Sequence, residues 1–237
     1  MENTKSVTEL FLDKYKQLES EIQFQYRGKA KDNRDTEIAF IENKPEFRIY
    51  RDGLKWCREI RNLLSHNPKV KNAFPIEPSQ EMVDLLDELI IKVRSRKTCR
   101  QVGVPFSKMY SRIISDSVAE TIEEMRKNSF TYVPIMDGRK VTGIFDENAL
   151  FCYVADNGIV DLEDLTFENI KDYIGLDGRE MEVFTFHDKG IYIDELQEEF
   201  RRQFENNKRV GVAFITENGK RSEAVTHMLT AWDVVGK

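Results

Sequence analysis

Six consecutive residues, Arg61-Asn62-Leu63-Leu64-Ser65-His66, carry the first constellation with chemical content. Arginine presents a rigid fork of donors suited to a phosphate, and histidine moves protons near neutral pH. At 100° per residue, Arg61 falls within the apolar stripe of Leu54, Cys57 and Leu64, where an unpaired guanidinium is costly. Asn62 and His66 are four apart and share a helix face. His66 stands in the last turn of its helix, a place where positive charge complements the macrodipole. Together these side chains could grip a phosphodiester and shuttle a proton without a metal. The alternative is architectural: His66 caps helix carbonyls, and Arg61 pairs with a carboxylate such as Asp52 or Glu88.

Other chemistries find little support. The only histidines are His66, His187 and His227, and Cys57, Cys99 and Cys152 are far apart with no CxxC pair. That spacing argues against a structural zinc and against a disulfide framework, so no metal site is expected. GxxxxGK[ST], GxGxxG and GxSxG are all missing from the sequence. His187, followed by Asp188-Lys189-Gly190, reads as a loop residue, and Trp232 reads as packing rather than a platform for a base.

The first half must position the arginine and histidine with helices. Ser6 and Glu9 form a capping box, followed by Val7, Phe11, Tyr15, Leu18 and Ile22 at helical spacing. Residues 27–35 are polar and turn-like, and a short helix from Thr36 to Glu42 stops near Pro45. The next helix is expected from Arg48 to His66, ended by Asn67-Pro68. Ser79 then opens a helix with Met82, Leu85, Leu86, Leu89, Ile90 and Val93 inward. The sum is a four-helix-like bundle. Residues 92–105, with five basic side chains before Gly103 and Pro105, read as a helix end becoming a linker.

The second half changes period. A capping box at Ser117 and Glu120 opens a helix with Val118, Ile122 and Met125 inward. A strand over 132–136, the turn Asp137-Gly138 and a strand over 141–145 follow, with Pro134 pointing to a strand edge. A weaker copy repeats the order: helix 193–204, strand 210–216, turn Asn218-Gly219, strand 224–229.

The formal charge is −6, unevenly spread: residues 1–104 carry 20 basic and 17 acidic side chains, residues 105–237 carry 16 and 25. The first part tolerates a polyanion such as RNA, and the second is a poor wrapper of one. No apolar run approaches the roughly 20 residues needed to cross a bilayer, and the first ten residues lack a signal-peptide core. A cytoplasmic protein with no membrane partner is expected.

Arg61, Asn62 and His66 resemble the motif of the HEPN family of helical domains, an arginine, a polar residue, and a histidine four to six positions on. The resemblance implies a metal-independent endoribonuclease that dimerises to bring two motifs together, although other members are catalytically silent. His66 would serve as general base or acid, Arg61 would stabilise the charged transition state, and Asn62 would orient the phosphate.

The repeat over 106–237 resembles a tandem pair of CBS (cystathionine β-synthase) domains, regulatory modules for adenosine-containing ligands. In that family a small residue, two apolar residues, Ser/Thr, two variable residues and Asp follow the second hairpin strand. The second copy reads His227-Met228-Leu229-Thr230-Ala231-Trp232-Asp233, so Thr230 and Asp233 fit, with His227 in place of the usual glycine. The hydroxyl would contact phosphate and the carboxylate would accept from ribose. Family geometry adds Val183, Phe184, Thr185, Gly211 and Val212 as walls for the base. For Thr230 and Asp233, capping a helix start is the competing role. In the first copy Asp146 and Ala149 occupy the two key places. A carboxylate beside the phosphate position repels a nucleotide, so that site is expected to be degenerate.

The fold class expected is thus α + α/β: a helical bundle over 1–100, then a tandem pair of mixed sheet/helix units over 101–237. The function expected is a metal-independent endoribonuclease regulated by AMP, ADP or ATP, acting as a homodimer with no cofactor required. The alternative is a non-catalytic adenine-nucleotide sensor whose helical domain only dimerises or docks a partner.

Overall fold

The computed structural model describes residues 5–26, 36–66 and 73–235. The polar turn expected over 27–35 and the Asn67-Pro68 helix stop lie outside the described residues. The chain divides into two units, residues 1–96 and 97–237.

In the first unit, α1 (Val7–Gln25) opens on the expected capping box: the Glu9 amide donates to Ser6 Oγ at 3.3 Å, and the Ser6 amide donates to Glu9 at 2.9 Å. Its apolar stripe, Phe11, Tyr15, Leu18 and Ile22, is buried. Helix α2 (Glu37–Glu42) is capped by Thr36, whose Oγ1 accepts from the Ala39 amide. The next helix starts later than expected. Pro45 opens a 3-10 helix over Pro45–Tyr50, and α3 (Arg51–His66) begins only after it. Helix α4 (Gln80–Arg94) buries Val83, Leu86, Leu89, Ile90 and Val93. Met82 and Leu85, expected inward, are only half-buried, because Val83 sets the stripe that Leu86, Ile90 and Val93 continue. These helices share one core with Tyr15, Leu54 and Cys57 at its centre.

The second unit begins where a linker was expected. Thr98 caps α5 (Cys99–Val102), the Cys99 amide donates to Ile191 O at 2.9 Å, and Val104–Pro105 form β1. The basic residues before Gly103 therefore end inside a folded unit. Then come α6 (Val118–Asn128), β2 (Val133–Asp137), β3 (Lys140–Phe145) and α7 (Glu147–Asn157). The later half has β4 (Glu182–Asp188), α8 (Ile193–Glu205), β5 (Arg209–Thr216), β6 (His227–Leu229) and α9 (Ala231–Val235).

The repeat is visible in the topology. Strands β2 and β3 pair antiparallel, as β5 and β6 do, each pair preceded by one helix and followed by another. Strand β4 lies parallel to β5 across α8, and Arg112 makes the matching parallel bridge to Ile135 across α6. The larger sheet has the order β1-β6-β5-β4. Asp137 faces Lys140, so the hairpin turn holds Gly138 and Arg139, with Gly138 at φ +58°. The returning strand β6 is shorter than expected. The Val225 amide donates to Arg139 O, and only from His227 does the chain pair regularly with β5. His187 belongs to β4 rather than to a loop, its ring 2.9 Å from Thr185 Oγ1 and 3.6 Å from Glu199. Burial holds its imidazole below the usual range, against the pull of Glu199.

Candidate functional site

Thr230 is the residue between β6 and α9, and Asp233 lies in the first turn of that short helix. The Asp233 carboxylate accepts from the Thr230 amide at 2.8 Å and from the Thr230 hydroxyl at 3.0 Å. The capping role weighed from sequence is therefore present. Both side chains also line a cavity of about 470 Å³, so capping and ligand contact share one pair of residues.

The cavity is aromatic and carries cations. Its walls include Gly211, Tyr110, Phe130, Tyr132 and Trp232, with Lys108 and Arg209 supplying positive charge. Tyr110 stacks on Phe130 with centroids 5.3 Å apart. The Tyr110 hydroxyl is buried and, among the described residues, has no hydrogen-bond partner. An orphaned donor of this kind costs free energy until a ligand atom or water meets it. Trp232, expected to pack, is 86% exposed and stands on the rim. Flat faces, two cations, a hydroxyl and a carboxylate within one cleft fit a molecule with an aromatic base, a ribose and phosphates.

Of the walls expected for the base, Gly211 lines this cavity, whereas Val183, Phe184, Thr185 and Val212 do not. Val212 is fully buried in the core, with Phe184 packed against the same cluster. Val183 packs on the core around Ile191, and Thr185 holds His187. Gly211 has a local reason to be glycine: a Cβ there would lie 2.9 Å from Glu182 Oε1 and 2.9 Å from Phe184. Further lining residues of this cavity come from the segments after β1 and between α6 and β2.

The first copy holds a buried charge cluster instead of a free carboxylate. Asp146 caps α7, its Oδ1 accepting from the Ala149 amide at 2.8 Å, while Oδ2 receives the Arg179 guanidinium. Arg179 also donates to Glu182 at 3.0 Å, to Ile144 O at 2.7 Å and to Gly175 O at 3.3 Å. Glu182 in turn accepts from the Tyr132 hydroxyl at 2.7 Å and from Arg209 Nε at 3.0 Å. The repulsion expected from Asp146 is thus corrected: its charge is neutralised inside the fold, and the place beside it is taken by an arginine. Burial raises the Asp146 carboxyl, with Arg179 pulling the other way. For Glu182 burial also pushes up, but Tyr132, Asp146, Arg209 and Arg179 together hold it below the usual carboxylate range. A second cavity, about 620 Å³, opens beside this cluster and includes Ala149, Cys152, Arg179 and Arg209.

Sequence reasoning missed Arg179, Glu182 and Arg209. One signal was readable: Glu182 and Arg209 each open a strand, and parallel pairing of β4 with β5 puts them side by side.

In the helical unit, Arg61, Asn62 and His66 lie on the last two turns of α3. Arg61 is half-buried, 5.7 Å above the Tyr15 ring, and donates to Asn62 Oδ1 at 3.4 Å. Asn62 and His66 are exposed. Glu88, weighed as a partner of Arg61, accepts instead from the Tyr50 hydroxyl at 2.5 Å. Among the described residues, no three His, Cys, Asp or Glu side chains are grouped to hold a metal ion, and no helix is long and apolar enough to cross a membrane.

No family model matches this chain, and no curated protein matches it. Solved structures similar to this chain include CBS domains. One is the CBS domain of the bacterial CNNM/CorC family Mg²⁺ transporter in complex with ATP, 16% identical, covering 59% of this chain and 84% of its own, with a TM-score of 0.40. Another is a CBS domain pair in complex with 5-methylthioadenosine and S-adenosyl-L-methionine, 15% identical over 60% and 94%, TM-score 0.41. A third is Hypoxic Response Protein I with two coordinated zinc ions, 12% identical over 59% and 98%, TM-score 0.42.

Proposed function

We propose that residues 97–237 are a regulatory module of CBS type that binds one adenosine-containing ligand, AMP, ADP or ATP, in the cavity of Thr230 and Asp233. One observation carries this reading. A hydroxyl and a carboxylate sit together at a helix start in an aromatic cleft that also holds Lys108 and Arg209. The first-copy position is closed to phosphate because Asp146 and Arg179 already satisfy one another. Calorimetric titration with each nucleotide tests the reading: one site per chain is expected, and no heat with any adenosine compound would refute it.

A second reading concerns the helical unit, which we propose acts as a metal-independent endoribonuclease under control of that module. The observation favouring it is exposure: Asn62 and His66 face solvent at the end of α3, with the Arg61 guanidinium against Asn62. His66 would take the proton from a ribose 2′-hydroxyl or give one to the leaving oxygen, while Arg61 offsets charge on the phosphorus centre. The product would be a 2′,3′-cyclic phosphate or its opened form. Arg61→Ala and His66→Ala are each expected to cut RNA cleavage by about 10²-fold or more. The unfolding curve of His66→Ala should match wild type, since a surface change of this kind costs within about 0.5 kcal/mol. Arg61→Ala also gives up the contact with the Tyr15 ring and should cost about 0.5–1 kcal/mol. EDTA should leave the activity intact. Loss of cleavage with EDTA and its return with a divalent ion would end the metal-free mechanism, and no cleavage at all would leave the sensor alone.

One arginine and one histidine give a weak grip on phosphate, so two motifs are expected to meet in a twofold homodimer. Light scattering at micromolar concentration should report twice the 27.8 kDa chain mass. A strict monomer would count against the nuclease reading while leaving nucleotide binding untouched.

A further inference from the structure

Arg209 lines both cavities of residues 97–237. Its side chain is 65% exposed and is held to the buried Glu182 by a single hydrogen bond from Nε at 3.0 Å. Glu182 does not depend on that bond alone. It keeps Arg179 at 3.0 Å and the Tyr132 hydroxyl at 2.7 Å, so releasing Arg209 leaves no buried carboxylate without a partner.

The two cavities differ in what remains without this arginine. The Thr230–Asp233 cavity retains Lys108. The other cavity retains Arg179, whose donors are committed to Asp146, Glu182 and two backbone carbonyls, facing Asp172, Glu180 and Asp177. Asp177 is offset by Arg221 at 2.5 Å. Arg209 is therefore one of two cations set against Asp172, Asp177, Glu180 and Glu182, and it weakens the negative field of the second cavity.

We propose that the two cavities share Arg209, and that an anionic ligand in the Thr230–Asp233 cavity withdraws its guanidinium from the cavity lined by Cys152. The shift makes the second cavity more negative whenever the first is occupied, so an anionic probe is repelled from it more strongly. The identity of the anion rests on the nucleotide reading above; the sharing of the arginine does not.

Cys152 reports the field directly. It is the half-exposed cysteine of this chain, whereas Cys57 and Cys99 are buried and burial pushes each thiol up to about 12. Its rate of reaction with the dianion 5,5′-dithiobis(2-nitrobenzoate) is compared with that for uncharged 4,4′-dithiodipyridine. In ligand-free protein, Arg209→Gln should slow the dianion about three- to tenfold relative to the neutral reagent, while Arg209→Lys keeps the fast rate. Saturating ATP should slow the dianion equally in wild type and have no further effect in Arg209→Gln. Equal dianion rates for wild type and Arg209→Gln without ligand would overturn the sharing. Equal slowing of both reagents by ATP would overturn the withdrawal, since that is steric closure. Nucleotide binding is followed in parallel by calorimetry. If ATP does not bind, the nucleotide reading fails, pyrophosphate takes its place as the anion, and an unchanged dianion rate then overturns the withdrawal.

Discussion

Replacing Arg179 with alanine is expected to lower the unfolding free energy of residues 97–237 by about 3–5 kcal/mol at neutral pH. Arg179, Asp146 and Glu182 have side chains only 10%, 4% and 5% exposed, so the variant strands two carboxylates away from water. Arg209 and Tyr132 still reach Glu182, but the hydrogen bonds of Asp146 then reduce to the Ala149 amide on its other oxygen. The pH dependence has a definite sign. The folded-state Asp146 carboxyl already lies above its ordinary value through burial, and without Arg179 it rises further. A carboxyl raised in the folded state favours folding when protonated, so the deficit is largest above that raised value and shrinks as pH falls through it. Urea unfolding at pH 7.5 and at successively lower pH measures both effects. A loss below about 1 kcal/mol at pH 7.5, or one that does not shrink as the pH is lowered, would show that the guanidinium is not what stabilises the pair. Combining Arg179→Met with Asp146→Asn should recover much of the loss, because no unpaired charge is then left beside Ala149.

Asp233→Ala should weaken adenine-nucleotide binding by about 1–3 kcal/mol, or about 5- to 150-fold, since hydrogen bonds to a charged acceptor are lost. The same carboxylate caps α9 through Thr230, so a stability loss of about 0.5–2 kcal/mol accompanies it. Calorimetry well below the melting temperature separates the two. Unchanged affinity together with lowered stability would mean that Thr230 and Asp233 only cap a helix. Ala149→Asp should not create a second site, because Arg179 already takes up Asp146 and the neighbouring carboxylate adds charge without freeing a donor.

The elements that a short-range pattern dictates were legible in the amino acids. Ser6 and Glu9 announce α1, Thr36 announces α2, and the 3.6-residue spacing of Phe11, Tyr15, Leu18 and Ile22 matches the buried face. The doubled order of helix, hairpin and helix was readable for the same reason. What escaped depends on pairing between distant segments. The stretch over 158–181 has no regular period, yet Leu165, Phe167, Ile170 and Ile174 are buried in the first copy's core. Arg179 stands in that stretch, and nothing local says that it reaches back to Asp146. Residues 92–105 look like a helix end becoming a basic linker because β1 is only two residues long and takes its meaning from β6. Thr230 and Asp233 stand in a local signature and Gly211 follows from family geometry, whereas nothing local marks Tyr110, Phe130 and Lys108 of the same cavity, since the repeats contribute walls to each other.

That placement of β1 sets a timetable for the ribosome. Val104 and Pro105 pair with Met228 and His227, so the segment leading into the first repeat completes the sheet of the second. The emerging chain can curl α6, β2 and β3 early, but β1 must wait, unpaired, until nearly all of the unit has been made. Loop closure over so long a stretch is slow, and the exposed edge of β6 would be its own hazard if β1 were cut away. A protein begun at residue 106, or nicked between the repeats, should therefore come off the ribosome aggregation-prone. The pair of repeats is a single piece of synthesis, finished only when the last strand arrives.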